Sequence, residues 1–254
     1  MTGESLLASV AEVTPAIAPG AGKLSAIPAV IAVPTLLVSP PLAIGLVGLA
    51  VCVLWFHRDP DRVPPEPGAG FLAPADGKIS VIREEENEDK STTGNEAGDG
   101  RRAGASDSDG PARLRIGVFM NVTDVHVNRA PASGTVESLD HRPGANRPAF
   151  SKDSDRNERL RINHGRYTTV MIAGWFARRI YPYVGAGDTV EAGDRIGHVS
   201  FGSRADVVLP PDVSREDLQV SVGDRVRAGE TVLADGATPA DKADSEALEP
   251  QHVD

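Results

Sequence analysis

The sequence predicts a mainly β protein: a compact β domain preceded by an N-terminal helical membrane anchor. Three observations lead there. Thirty-three consecutive residues from Leu24 to Phe56 carry no formal charge, the stretches after them are short, β-branched and closed by Gly, Pro, Asn or Asp, and the 254-residue chain holds 26 Gly and 20 Pro with only 4% aromatics. A bilayer-spanning helix needs about 20 apolar residues. Turn residues at this density suit short strands better than a helical bundle.

The anchor comes first in the chain. His57 and Arg58 follow the apolar run directly, with no small-residue cleavage pattern, so the run does not read as a secretory signal. Pro40 and Pro41 divide it, which favours a tight helical hairpin over a single kinked span. Such a hairpin places Lys23 at one end and Arg58 and Arg62 at the other on the same, cytoplasmic face, with Trp55 and Phe56 at the interface. Residues 1–63 are therefore the expected anchor and 64–236 the β domain. Residues 83–112, an acidic insertion, and the acidic tail 237–254 have too little apolar content to bury a core and read as disordered.

Charge sets a second bound. Lys and Arg total 26 against 36 Asp and Glu, a net charge of −10 that opposes a broad phosphate-binding surface and excludes nucleic acid as the expected partner. Lysine occurs only at 23, 78, 90, 152 and 242, a composition resembling that of proteins adapted to high salt. The single cysteine, Cys52, permits no intrachain disulfide, no cysteine-based metal site and no C-x-x-C pair, and reads as a small buried hydrophobe. No metal site is expected.

Strands are expected over Gly77–Ile82, Leu114–Met120, Val125–Asn128, Gly134–Ser138, Tyr167–Ile172, Arg195–Phe201 and Val207–Leu209. The piece GWFARRIYPY, from Gly174, reads as one helical turn. Near the C-terminus AGDTVEAGDRIGHV (186–199) and VGDRVRAGETVLAD (222–235) share the frame G-D-x-V-x-A-G-[DE]-x-[IVL]. Each copy reads as strand, glycine-closed turn, strand. The frame resembles the hammerhead hairpins of biotinyl- and lipoyl-like sandwich barrels. No lysine stands between Lys152 and Lys242 to carry a cofactor at a hairpin tip, so the resemblance is to the scaffold without the carrier function.

Between the two copies lies Gly202-Ser203. There is no G-x-S-x-G elbow, so an ordinary hydrolase nucleophile is not indicated. Five ordered motifs give the pair a context: F-x-R-D-P-[DE]-R in Phe56 to Arg62, A-P-A-D-G-K-[IV] in Ala73 to Ile79, D-V-H-V-N-R-A-P in Asp124 to Pro131, I-A-G-x-x-A-R-R-I in Ile172 to Ile180, and F-G-S-R followed by D-V-x-L-P in Phe201 to Pro210. Together they resemble the phosphatidylserine decarboxylase family, more closely its short, archaeal-type branch, over most of the chain from about 50 to 235.

That resemblance implies a pyruvoyl cofactor made from the chain itself by cleavage between Gly202 and Ser203, leaving residues 1–202 and 203–254 as a heterodimer. It implies Ser203, His126 and Asp76 as catalytic residues. A hydroxyl needs a nearby base to become a nucleophile, and a histidine held by a carboxylate is the usual solution. Gly202, without a side chain, permits the bent backbone such an attack needs. The implied reaction then removes carbon dioxide from the serine headgroup of phosphatidylserine, or of the ether lipid archaetidylserine, with His126 as the candidate proton donor. The longer branch resembles Y-H-R-V-H-M-P at this motif, with two histidines, whereas here His126 stands alone and Arg129 lies near the second position. His57 and His198 receive no role, and Arg178 and Arg179 are read as surface charges that could face an anionic headgroup. The expected location is the cell membrane with the catalytic domain on its cytoplasmic face. A non-catalytic membrane-tethered adaptor on the same barrel, or a serine hydrolase using Ser203, are the competing readings.

Overall fold

The computed structural model describes residues 16–18, 21–66, 68–85, 112–144, 156–174, 179–199 and 202–236. The expected acidic insertion lies almost wholly, and the tail wholly, outside these residues, as do Trp175, Phe176 and Arg178. A short strand β1 (Ala16–Ile17) precedes two helices, α1 (Ala21–Val38) and α2 (Pro40–Phe56), and a strand β2 (Arg58–Asp59) that pairs back onto β1.

The membrane anchor expected from the sequence is corrected here. Among the described residues no helix is long and apolar enough to cross a membrane. Ser39, Pro40 and Pro41 end one helix and start the next, because proline lacks the N–H and clashes with the preceding turn. The resulting helices of 18 and 17 residues span about 25–27 Å each, short of a hydrocarbon core of about 30 Å. They fold against one another through small residues, with Ala32, Ala43 and Ala50 buried and Leu37, Val38 and Ile44 exposed. The end of α2 then enters the β domain, where Phe56 and His57 are buried. Cys52 is exposed on α2, not buried.

The main sheet has seven antiparallel strands in the order β15 (Arg225–Val226), β4 (Gly77–Glu85), β5 (Arg113–Phe119), β14 (Arg204–Val208), β10 (Thr168–Ile172), β9 (Arg159–Asn163) and β8 (Ser138–Arg142). Its core face carries Ile79, Leu114, Ile116, Val118, Ala205 and Val207, alternating as period-two strands require. On the other face of β5 and β14, Arg115, Arg204 and Asp206 are buried together. Asp206 Oδ2 accepts from Arg115 Nε at 2.7 Å and Oδ1 from Arg204 Nε at 2.8 Å.

Three further strand groups accompany this sheet among the described residues: β11 (Ile180–Pro182), β13 (Arg195–Val199) and β6 (Val127–Arg129) in one, and the pairs β12 (Thr189–Val190) on β7 (Gly134–Thr135) and β16 (Val232–Ala234) on β3 (Phe71–Leu72). Ile180–Pro182, expected as part of a helical turn, is a strand paired with β13. Strand β9, RLRIN, alternates polar and apolar residues and buries Leu160 and Ile162, whereas β8, SLDHR, is mixed in sequence.

The C-terminal repeat is half of a larger one. Residues 73–77 read A-P-A-D-G and residues 130–134 read A-P-A-S-G. Gly229 N donates to Ala73 O and Gly193 N to Ala130 O, both at 2.9 Å. Gly223 N donates to Ile79 O and Gly187 N to Val136 O. The two halves are joined reciprocally, Leu72 N to Pro131 O at 2.7 Å and Arg129 N to Pro74 O at 2.8 Å. At their meeting point Gly193 and Gly229 take φ of 88° and 70°, and a Cβ on Gly229 would sit 3.2 Å from Gly193 Cα. Only glycine meets both conditions, which explains the A-G dyad in each copy.

Candidate active site

Ser203 immediately precedes β14 and is fully buried. Its Oγ donates to Val199 O at 3.0 Å, and its carbonyl accepts from Met120 N at 2.9 Å. Gly202 before it has φ of +67°, in the left-handed region that a side chain disfavours, with open space where a Cβ would point. Backbone conformation rather than crowding therefore calls for glycine at 202.

His126 precedes β6, and its carbonyl accepts from Val199 N at 3.3 Å, so Val199 stands between the two predicted residues and bonds to both. The His126 ring is buried against Phe56, with centroids 4.4 Å apart. Nδ1 lies 3.0 Å from Asp124 O. A carbonyl only accepts, so Nδ1 carries the proton and Nε2 is left as a bare lone pair, buried and without a partner. Burial, helped by His57, Arg58 and His198, pushes the pKa down to about 4 against the bond to Asp124. The ring is neutral at pH 7 and has the tautomer of a base.

Asp76 does not meet His126 through any described hydrogen bond. Its Oδ2 accepts from Arg62 Nη2 at 2.7 Å and its Oδ1 from Ala228 N at 2.8 Å. Gly77 nonetheless brings it to the edge of the site: a Cβ there would fall 2.1 Å from Phe119 O and 3.3 Å from Met120 Cα. Arg129 is committed to Asp59 Oδ1 at 2.8 Å and to Gly193 O at 2.9 Å.

Sequence reasoning left out the aromatic and histidine groups around His126. His57 donates from Nδ1 to Val53 O at 2.9 Å, and its ring stands edge-on to His198 at 6.3 Å. His198, on β13, stacks on Tyr181 at 4.6 Å and holds the Tyr183 hydroxyl 2.7 Å from Nδ1. The F-H-R-D-P segment that brings Phe56 and His57 in is pinned by Arg58 Nη2 to Thr123 O at 2.6 Å and by Asp59 to Arg129 and Arg195. That segment was legible as a motif, but nothing in its spacing indicated that two of its rings face His126 and His198. Among the described residues no group of three or more His, Cys, Asp or Glu is placed to hold a metal.

The family described as phosphatidylserine decarboxylase matches residues 49–234. A protein of Halobacterium salinarum, provisionally named an archaetidylserine decarboxylase proenzyme, is 53% identical over 207 residues, covering 82% of this chain and 92% of its own. The phosphatidylserine decarboxylase proenzyme of Thermobifida fusca is 44% identical over 196 residues, covering 76% and 77%. A Methanococcoides burtonii protein provisionally named like the first is 40% identical over 190 residues, covering 73% and 76%. No solved structure matches.

Proposed function

The chain belongs to the phosphatidylserine decarboxylase family, and from that premise we propose that it cleaves itself between Gly202 and Ser203 and then decarboxylates the serine headgroup of phosphatidylserine or archaetidylserine. The observation that carries the reading is the pairing of a buried serine after a left-handed glycine with a buried imidazole whose Nε2 is a free lone pair.

In the first step His126 Nε2 takes the Ser203 Oγ proton. Oγ adds to the Gly202 carbonyl carbon, His126 gives the proton to the residue 203 nitrogen as the 202–203 C–N bond breaks, and the chain is held as an ester with a free amine on residue 203. Loss of the residue 203 α-proton expels the Gly202 carboxylate. Water then replaces the nitrogen, which leaves as ammonia.

These residues fit a pyruvoyl group at position 203. When present, it supplies a keto carbon for the substrate amine and an electron sink for the bond to carbon dioxide. The carbonyl of residue 203 survives as the adjoining amide, and Met120 N–H, at 2.9 Å, polarises it. Residue 203 is fully buried in the uncleaved chain.

The two cleavage products stay together as a heterodimer, because β14 is hydrogen-bonded between β5 and β10 while β15 and β16 pair with β4 and β3. For a phospholipid substrate we propose an encounter at the membrane surface, on the cytoplasmic face of the cell membrane. Under denaturing conditions, mass measurement gives two chains, 1–202 and 203–254, the smaller lighter by one ammonia than a serine-initiated peptide. Ser203→Ala gives one chain and no release of carbon dioxide from phosphatidylserine vesicles. A wild-type chain that stays intact and decarboxylates would refute the reading.

A further inference from the structure

The decarboxylase reading needs two proton movements of opposite sense, one off Ser203 Oγ and one onto the substrate carbon that has lost carbon dioxide. His126 is set up for the first only: its Nδ1–H is spent on Asp124 O, and its Nε2 is a lone pair. A second buried imidazole, His198, lies on β13 beside Val199, the residue whose carbonyl holds Ser203 Oγ. Its Nδ1 faces the Tyr183 hydroxyl at 2.7 Å, and its ring is fixed by stacking on Tyr181. A phenol can donate to an imidazole lone pair or accept from its N–H; with Tyr183 donating, the histidine's own proton stands on Nε2. In that arrangement the two rings have opposite tautomers, His126 accepting and His198 donating at Nε2.

We infer that His198 Nε2–H returns the proton to the substrate carbon, with Tyr183 as the positioning residue behind it, and that His126 acts in chain cleavage. The Nε2 proton passes to the carbon, which supplies the electron pair. The Tyr183 O–H proton passes to Nδ1, and the phenolate takes a proton from water. The imidazole ends neutral in the other tautomer and resets by exchange with solvent.

The surroundings agree. Burial, with His57 as a smaller contributor, pushes the His198 pKa down to about 4, so the ring enters the reaction neutral. Burial and Asp59, opposed by Arg195, raise that of Tyr183, so its hydroxyl is protonated in the resting protein.

The inference rests on the decarboxylase reading, and its test separates the two. In ¹⁵N-labelled full-length Ser203→Ala, two-bond ¹H–¹⁵N correlations should show His198 as the Nε2–H tautomer and His126 as Nδ1–H. Adding Tyr183→Phe should turn His198 into a mixture while leaving His126 unchanged. In the cleavable chain, His198→Gln and Tyr183→Phe should cleave as wild type does. Carbon dioxide released from phosphatidylserine vesicles per cleaved chain should fall about 100-fold in the first and about 10-fold in the second. A His198 Nδ1–H tautomer, normal turnover per cleaved chain in His198→Gln, or loss of turnover only in proportion to lost cleavage would each overturn the inference. Failure of wild type to cleave would instead sink the decarboxylase reading.

Discussion

Asp76 and Ser133 hold equivalent turns in the two halves of the β domain: Asp76 Oδ1 accepts from Ala228 N at 2.8 Å, and Ser133 Oγ accepts from Ala192 N at 3.1 Å. Ala228 and Ala192 occupy the same place in the two copies of the C-terminal repeat. A serine suffices for that bond. What the carboxylate adds is charge, met by Arg62, whose side chain is 8% exposed.

Asp76→Ser should therefore keep the turn bond but strand the Arg62 guanidinium. Breaking a buried ion pair from one side costs about 3–5 kcal/mol, although Glu230, 3.3 Å from Arg62 Nη1, reduces that here. Combining Asp76→Ser with Arg62→Met should recover most of the loss. Urea unfolding of the four chains in the Ser203→Ala background measures the coupling. Additive losses would show that the two side chains act independently.

The sequence alone expects removal of residues 1–57 to leave self-cleavage intact, since the apolar run precedes the first catalytic motif. The structure reverses that expectation, because Phe56 packs on the His126 ring and His57 faces His198. The truncated chain should cleave at least 10-fold more slowly than full length. Phe56→Ala, which leaves the helices in place, should also slow cleavage and destabilise the fold by about 3–5 kcal/mol. The fraction of cleaved chain with time after refolding checks both.

Asp206 pairs with two buried guanidinium groups on adjacent strands, and Glu85 Oε1 meets Arg115 Nη1 as well, at 2.8 Å. Asp206→Ala should cost about 3–5 kcal/mol, because Arg115 and Arg204 lose their shared carboxylate inside the protein, although Glu85 remains on Arg115. Chemical denaturation reads the loss. A cost under about 1 kcal/mol would mean that water reaches the cluster.

Burial pushes the pKa values of His126, His164 and His198 down to about 4 from the usual 6.5. Above about pH 6.5 neither folded nor unfolded chain binds these protons, and stability is unaffected. Between about 6.5 and 4 the unfolded chain binds more protons, so stability falls as pH falls, and the loss from these groups levels off below about 4. Each contributes up to roughly 3 kcal/mol at 1.36 kcal/mol per pKa unit. Unfolding of Ser203→Ala at pH 7 and pH 4.5 should show the drop. Equal stability at the two pH values would mean that the rings are solvated in the folded protein.

By itself the sequence determined the β class, the frame of the C-terminal repeat and the ordered motifs, because period-two alternation and turn glycines are local properties that survive in one dimension. It also marked Gly202, whose positive φ is a requirement of its own backbone. The tertiary structure decided what each charged or aromatic group faces. Asp76 looked like a partner for His126 because residue type is all a sequence offers, yet pairing across the halves gave its oxygens to Arg62 and Ala228. The apolar run had the composition of an anchor, but whether such a run spans depends on helix length, and Pro40 and Pro41 cut that length while Phe56 and His57 were drawn into the β domain. His198 and Tyr183, fifteen residues apart, became a hydrogen-bonded pair only when β13 closed between β11 and β6. Long-range pairing, which no local pattern encodes, places the second imidazole beside the strand that leads to Ser203.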